Sequence, residues 1–137
     1  MLRTLYLRMR CSGDDKVAAL RGARVLVVED EALVALEFES MLGAAGCQVL
    51  GPVATVAEAL DLIEEKQPEV VLLDVQLLNG MITPVAERLR TLGVPFILVS
   101  AYTGPELEKP ILANAPHVDK PVSRSRLLAA LEQAMPS

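Results

Sequence analysis

Hydrophobic residues in this chain form short unbroken runs that alternate with stretches of helical periodicity. Runs rich in Val, Leu and Ile predict five strands, at residues 24–28, 48–53, 69–74, 95–100 and 117–119. Strands without polar alternation are typical of a parallel sheet that is covered on both faces. Between the strands, apolar residues recur every three or four positions and predict helices. The pattern predicts one α/β domain, built on a doubly wound five-stranded parallel sheet.

Local residue pairs indicate where individual elements begin and end. Thr55 and Glu58 have the spacing of a capping box at the start of the second helix. Thr83 and Pro84 predict an N-cap followed by the first residue of the third helix. Gly51-Pro52 weakens the end of the second strand, so we expect that strand at an edge of the sheet.

The segment between the fourth and fifth strands departs from this regular pattern. Residues 101–116 contain Pro105, Pro110 and Pro116. A proline inside a helix costs about 3 kcal/mol because it removes a hydrogen bond and clashes with the preceding turn. We therefore expect the helix at this place, the fourth of the chain, to be shortened or irregular.

Charge is distributed unevenly along the chain. Residues 1–21 carry a net charge of +3 and the remaining residues carry −8. The acidic main part argues against a protein that binds nucleic acid by neutralising phosphates. We interpret residues 1–22 as a basic N-terminal extension and residues 23–137 as the folded domain. Apolar residues within 1–10 share one helical face, so a mobile extension and a docking helix or dimer arm both fit this segment.

Cysteine usage and hydropathy bear on the cellular compartment. Cys11 and Cys47 show neither metal-ligand spacing nor a secreted disulfide pattern. No run approaches the roughly 20 apolar residues that a membrane span needs. These features predict a cytoplasmic protein without a membrane segment.

Reactive side chains follow four of the five predicted strands. Glu29 and Asp30 come after the first strand, Asp74 ends the third, Ser100 ends the fourth and Lys120 follows the fifth. In an open parallel sheet, ligands bind beyond the carboxyl ends of the strands, where the strand order reverses. We therefore expect these five side chains to meet at one edge.

The combination of residue types indicates phosphoryl chemistry. Three converging carboxylates repel one another and raise their own pKa values unless a cation is present. Mg²⁺ takes one or two protein carboxylates and leaves coordination positions for phosphate oxygens, while a lysine and a hydroxyl can bind the same phosphate. Each residue alone would fit a helix cap, a turn or a surface charge. Their coincidence at one sheet edge carries the prediction.

Four motifs together resemble the receiver domain of two-component response regulators, the CheY-like family. The resemblance covers residues 23–135 and implies a flavodoxin-like sheet of order 2-1-3-4-5. The motifs agree with the family in order, spacing and residue type: Val-Val-Glu-Asp-Glu at 27–31, Leu-Leu-Asp-Val at 72–75, Val-Ser-Ala at 99–101 and Lys-Pro at 120–121.

The resemblance implies specific roles for the acidic residues. Asp74 is expected to be the phosphoacceptor, which a sensor histidine kinase or a phosphotransfer protein phosphorylates. Asp30 is expected to bind Mg²⁺ directly and Glu29 mainly through water, and the backbone carbonyl of Gln76 would complete the metal site. A carboxylate nucleophile yields an acyl phosphate, which hydrolyses and so resets the switch.

The remaining site residues are expected to act on the phosphoryl group. Lys120 would pair with it and with the Asp74 carboxylate, and Ser100 would move to donate a hydrogen bond to it. The bond between Lys120 and Pro121 is expected to be cis. The resemblance thus implies a signalling switch that is not an enzyme beyond its own phosphorylation and dephosphorylation, and that is a monomer or weak dimer.

Three features of the site differ from the usual family pattern or refine it. His117 stands where receivers usually have Tyr or Phe, so the usual aromatic switch is replaced by a half-buried histidine or by a pH-sensitive one. The loop at 76–80 lacks the common Met-Pro. Gln76 and Tyr102 lie two residues after the acceptor and after the hydroxyl, where they would shield the acyl phosphate and slow its loss.

A narrower resemblance is to the atypical single-domain receivers of alphaproteobacteria. Asp-Val-Gln-Leu at 74–77, Pro-Val-Ala at 84–86 and Val-Pro-Phe at 94–96 carry it. The sequence continues for sixteen residues after Pro121, enough for one helix. We therefore expect no output domain, and signalling by binding a downstream protein partner or by phosphorelay.

Two other functions remain open at this point. An aspartate-dependent phosphatase of the haloacid dehalogenase type also places an aspartate after an apolar strand, but it needs a second acid two residues later, where this chain has Gln76. A degenerate receiver would bind partners without phosphorylation, although every chemical residue of the family is present here.

Overall fold

The computed structural model describes residues 20–77, 82–100, 112 and 115–135. Within these ranges the strands are β1 (Arg24–Val28), β2 (Gln48–Val53), β3 (Val70–Asp74), β4 (Phe96–Ser100) and β5 (His117–Asp119). The helices are α1 (Ala32–Ala44), α2 (Val56–Lys66), α3 (Thr83–Leu92) and α4 (Arg124–Ala134).

The five strands form one parallel sheet in the order β2-β1-β3-β4-β5. This confirms the predicted 2-1-3-4-5 topology, and it places β2 at an edge as expected from Gly51-Pro52. Gly51 has a φ of +83°, and a Cβ there would lie 2.9 Å from the backbone nitrogen of Val53. The strand order reverses between β1 and β3, so the crevice for a ligand lies at the carboxyl ends of these two strands.

Successive residues of the central strands point to opposite faces and build two cores. On one face, Leu26, Leu73 and Leu98 pack with residues of α2 and α3. On the other face, Leu72 and Ile97 pack with residues of α1 and α4. Every residue of β3 and β4 is buried. This double coverage explains why these strands are apolar throughout, and why Asp74 and Ser100 at their ends stand out.

Leu20 extends the core on the N-terminal side of β1. Its side chain is 1% exposed and belongs to the core between the sheet, α1 and α4. The backbone nitrogen of Gly22 donates to the carbonyl of Gly46 at 2.7 Å, which fastens this segment to the end of α1. The folded core therefore includes a residue from the segment that the sequence indicates as an extension.

The start of α2 agrees with the prediction from the sequence, whereas α3 starts one residue earlier than predicted. The Glu58 backbone nitrogen donates to Thr55 Oγ1 at 3.1 Å, and the Glu58 carboxylate accepts from the Ala54 backbone nitrogen at 3.4 Å, so the predicted cap is confirmed. The prediction that Thr83 caps α3 is wrong. The helix already includes Thr83, and the buried Ile82 occupies the cap position because its side chain is anchored in the core.

Some predictions concern residues outside the described ranges. These are the shortened helix within 101–116, of which Leu112 and residues 115–116 are described, the Tyr102 shield, and the helical face within residues 1–10. Among the helices of the described ranges, none combines the length and the apolar character needed to span a membrane.

Candidate functional site

Three carboxylates meet at the carboxyl ends of β1 and β3. Parallel pairing sets Val28 beside Leu73, so the acids that follow β1 lie next to Asp74. Glu29, Asp30 and Asp74 each have a carboxylate oxygen within 4.8 Å of the others. Glu29 and Asp74 are buried and Asp30 is partly exposed. The structure thus brings together all three acids that the sequence predicts at this edge.

Lys120 reaches the same cluster from the end of β5. Its Nζ lies 3.1 Å from Glu29 Oε1 and 3.5 Å from Asp74 Oδ1. The backbone nitrogen of Lys120 donates to the carbonyl of Ser100 at 2.8 Å, which fixes this residue against β4. The Lys120-Pro121 peptide is cis, as expected. One ammonium group therefore lies between two buried carboxylates.

The electrostatics of the cluster favour partial protonation of Glu29. Burial raises the pKa of Glu29 to about 7, and the charge of Asp74 adds to this effect. The Glu31 backbone nitrogen, which donates to Glu29 Oε2 at 3.1 Å, and the Lys120 ammonium act in the opposite direction. Although burial alone would lower the pKa of Lys120, the charges of Asp74 and Glu29 raise it above its ordinary value. Lys120 is therefore a permanent cation in the physiological range.

The donor set fits a hard divalent cation. Mg²⁺ and similar ions prefer carboxylate oxygens, and Glu29, Asp30 and Asp74 supply three within 4.8 Å of one another. Glu29 Oε1 is a buried oxygen that the Lys120 ammonium approaches to 3.1 Å, and Lys120 shares its single charge with Asp74. An additional cation would compensate this oxygen and reduce the repulsion from Asp74, which adds to the effect of burial on the pKa of Glu29.

Gln76 lies beside the acceptor in the turn that follows β3. Its backbone nitrogen donates to Asp74 Oδ1 at 3.0 Å, and its side chain is exposed. This hydrogen bond orients the Asp74 carboxylate. The role of the Gln76 carbonyl as a metal ligand stays a prediction.

Ser100 makes a contact that the sequence does not reveal. Its Oγ is 3.1 Å from Nε2 of His117, and the same Nε2 is 3.5 Å from Asp119 Oδ1. Ser100 is completely buried. The pairing of β4 with β5 sets Ser100 beside Asp119, and His117 lies two residues earlier on β5. Alternation along β5 was the signal that could have indicated that His117 and Asp119 share a face.

An exposed apolar surface next to the cluster was also missed. Leu33 and Leu36, in the first turns of α1, are 75% and 59% exposed. The inward face of α1 carries Val34, Phe38 and Leu42, and the latter two are buried. Leucines outside the inward face of a helix were the signal that could have indicated this surface.

Fold and site together define the class of protein. A doubly wound sheet of order 2-1-3-4-5, with an acidic triad at its switch point, a lysine after the last strand and a hydroxyl after the fourth, is the architecture of a signalling receiver. The family model of the response regulator receiver domain matches residues 25–132. The chain belongs to this family.

The chain is similar in sequence to several regulatory proteins. The phyllosphere-induced regulator PhyR of Methylorubrum extorquens is 31% identical over 128 residues, which are 88% of this chain and 46% of that protein. The transcriptional regulatory protein PdtaR of Mycobacterium tuberculosis is 30% identical over 115 residues, with coverage of 82% and 56%. PhyR from Brucella abortus is 31% identical in sequence, and its crystal structure matches this fold with a TM-score of 0.75. The match covers 93% of this chain and 54% of the PhyR chain. The chain thus spans about half the length of these relatives.

Proposed function

We propose that this protein is a phosphoacceptor switch of a two-component system, phosphorylated on Asp74 in a Mg²⁺-dependent reaction. A sensor histidine kinase or a phosphotransfer protein would be the donor. The observation that carries the proposal is the position of the Lys120 ammonium, 3.1 Å from Glu29 and 3.5 Å from Asp74. A nucleophilic carboxylate beside a fixed cation and two further acids is the arrangement that phosphoryl transfer requires.

The transfer step can be written with the residues of the chain. An oxygen of Asp74 attacks phosphorus in line with the phosphohistidine nitrogen of the donor, the new P–O bond forms, and the P–N electron pair returns to the imidazole. The Gln76 backbone nitrogen holds the Asp74 carboxylate in place through its hydrogen bond. Lys120 then exchanges part of its contact with Glu29 for an oxygen of the new phosphoryl group.

The metal would be held by Glu29, Asp30 and Asp74. When bound, it neutralises charge on the phosphoryl oxygens, which is its general contribution to phosphoryl transfer. The other residues need no further chemistry, because proximity and charge stabilisation suffice for this reaction. The protein would therefore act on no substrate other than its own aspartate, and it would signal by partner binding or phosphorelay. A kinase that uses ATP places this reaction in the cytoplasm.

A receiver that works without phosphorylation is the second candidate. The observation in its favour is that Lys120 already neutralises part of the charge of Glu29 and Asp74. Beryllium fluoride with Mg²⁺ mimics an acyl phosphate, so its binding separates the two candidates. Mg²⁺-dependent chemical-shift changes around Asp74 support the switch, and a spectrum that does not change supports the second candidate.

The exposed leucines of α1 supply a surface for the phosphodonor. Leu33 and Leu36 are exposed, and α1 begins two residues after Asp30. A donor that delivers a phosphohistidine to Asp74 has to cover this part of the surface, and burial of two leucines would add about 1.5 to 3 kcal/mol each if it were complete.

We expect Leu36→Glu to slow phosphotransfer from the cognate kinase by about tenfold, the effect of losing roughly 1.4 kcal/mol of docking energy. Labelling by acetyl phosphate should be unchanged, because this small donor does not contact α1. Both rates can be measured with radiolabelled donors. Leu92→Glu is the matched control, because Leu92 is also exposed but ends α3. An equal loss with both donors would show that Leu36 affects the site and not docking.

A further inference from the structure

His117, the single histidine of the chain, lies between Ser100 and Asp119. Its Nε2 is 3.1 Å from Ser100 Oγ and 3.5 Å from Asp119 Oδ1. The side chain of His117 is one-quarter exposed, Asp119 is largely exposed, and Ser100 is completely buried. The contact thus connects a hydroxyl of the candidate site with the surface at β5.

An Asp-His-Ser group could suggest a hydrolytic triad, but the geometry excludes this. In a triad, the carboxylate and the hydroxyl bind opposite nitrogens of the imidazole, so that the ring can accept a proton from the serine. Here both partners face Nε2. The group therefore has a positioning role and not a nucleophilic one.

Ser100 and Asp119 both contact Nε2 of His117, and this arrangement indicates which atom donates the hydrogen bond. A carboxylate only accepts hydrogen bonds, so an unprotonated Nε2 would direct its lone pair at the negative charge of Asp119. The arrangement thus favours the tautomer that carries its hydrogen on Nε2. Ser100 Oγ, which is the nearer of the two acceptors, takes the larger share of this hydrogen, and Asp119 competes for it.

We infer that His117 is a positioning residue that holds the Ser100 hydroxyl in the unphosphorylated protein, and that Asp119 weakens this hold by competing for the same N–H group. The inference rests on the proposed function, since it concerns the hydroxyl expected to bind the phosphoryl group. Ser100 has to give up its bond to His117 when it turns to a phosphoryl oxygen. The bond therefore opposes phosphoryl binding and favours the unphosphorylated state.

The first test detects the hydrogen bond between His117 and Ser100 in the unphosphorylated protein. Because the chain has one histidine, a ¹⁵N-labelled sample gives one unambiguous set of imidazole resonances. In the neutral form of the imidazole, we expect the Nε2–H tautomer. Ser100→Ala and Asp119→Asn should each shift the Nε2 resonance. An Nδ1–H tautomer, or an Nε2 resonance that is unchanged in folded Ser100→Ala, would overturn the inference.

The second test measures competition with a phosphoryl mimic, using beryllium fluoride and Mg²⁺ as the probe. His117→Phe keeps a ring but removes the donor, so it should bind the probe about two- to tenfold more tightly, the range expected for one net hydrogen bond. His117→Gln keeps an N–H donor and should stay near wild type. Asp119→Asn removes the competing charge, so it should bind about twofold more weakly. In a Ser100→Ala background, His117→Phe should have no effect.

The outcomes separate this inference from the proposed function. A His117→Phe variant that binds the probe no more tightly than wild type would overturn the inference, and so would an equal gain in the Ser100→Ala background. A merely structural role for His117 predicts weaker binding, which is the opposite direction. If wild type itself does not respond to the probe, the proposed function fails, and the tautomer and its dependence on Ser100 still decide whether His117 holds the hydroxyl.

Discussion

Asp74→Asn is expected to abolish phosphorylation. Radiolabel taken up from acetyl phosphate, or from a phosphorylated kinase, should fall by at least about a hundredfold, because a carboxamide is not a nucleophile for phosphorus. Hydroxylamine should release the label from wild type, because it cleaves an acyl phosphate. The variant should fold, because it removes a buried charge that raises the pKa of Glu29.

Asp61→Asn is the matched control for this variant. Asp61 is an exposed residue of α2, so the same chemical change is made away from the site. It should label like wild type. If Asp74→Asn took up label as well as wild type does, Asp74 would not be the acceptor, and the function proposed from the Lys120 contact would be wrong.

The second large effect is a loss of stability with rising pH in the absence of metal. Glu29 has its pKa raised from 4.5 to about 7 in the folded protein, mainly by burial. An acid of this kind binds more protons when folded than when unfolded. Its contribution to stability is therefore largest below about pH 4.5 and is lost as the pH rises through about 7. At about 1.4 kcal/mol per pKa unit, the loss is at most roughly 3.5 kcal/mol.

Urea unfolding in a chelator, at about pH 5 and about pH 8, measures this effect. Glu29→Gln should remove most of the decrease, because the amide does not ionise. Exposed Glu37→Gln on α1 should retain the pH dependence of wild type. Mg²⁺ should restore wild-type stability at the higher pH and act less on Glu29→Gln. If the free energy of unfolding depended on pH equally in wild type and in Glu29→Gln, ionisation of Glu29 would not destabilise the folded protein, and the prediction would be wrong.

Both predictions depend on a site whose residues are in place but whose negative charge is only partly compensated. Lys120 compensates part of the charge of Glu29 and Asp74, but these two buried carboxylates share its single ammonium group. A cation and a phosphoryl group would each remove part of this cost. The same repulsion that destabilises the resting site therefore favours binding of the ligands that the reaction needs.

Much of the fold was predictable because two simple rules apply to it. The runs that form β1, β3 and β4 are apolar on both faces, since helices cover the sheet on both sides. The first polar residue after each run therefore marks the edge where ligands bind. For this reason Glu29, Asp30, Asp74 and Lys120 could be named together before their distances were known.

Other features escaped prediction because they depend on packing between distant segments. Leu20 follows no periodic pattern, so its burial against α1 and α4 could not be anticipated. Thr83 has the better capping chemistry, but the burial of Ile82 sets the start of α3 one residue earlier. A side chain anchored in a core outweighs a local preference that is worth about 1 kcal/mol.

By itself, the sequence determined the class of the fold, the order of its elements and the chemical identity of the site, because these follow from hydrophobic pattern and strand-end residues. Only the tertiary structure decided the state of that site. Burial sets the raised pKa of Glu29, and the register of β4 against β5 brings Nε2 of His117 to Ser100. Protonation and hydrogen bonding depend on distances between strands, and a linear pattern of residue types does not contain those distances.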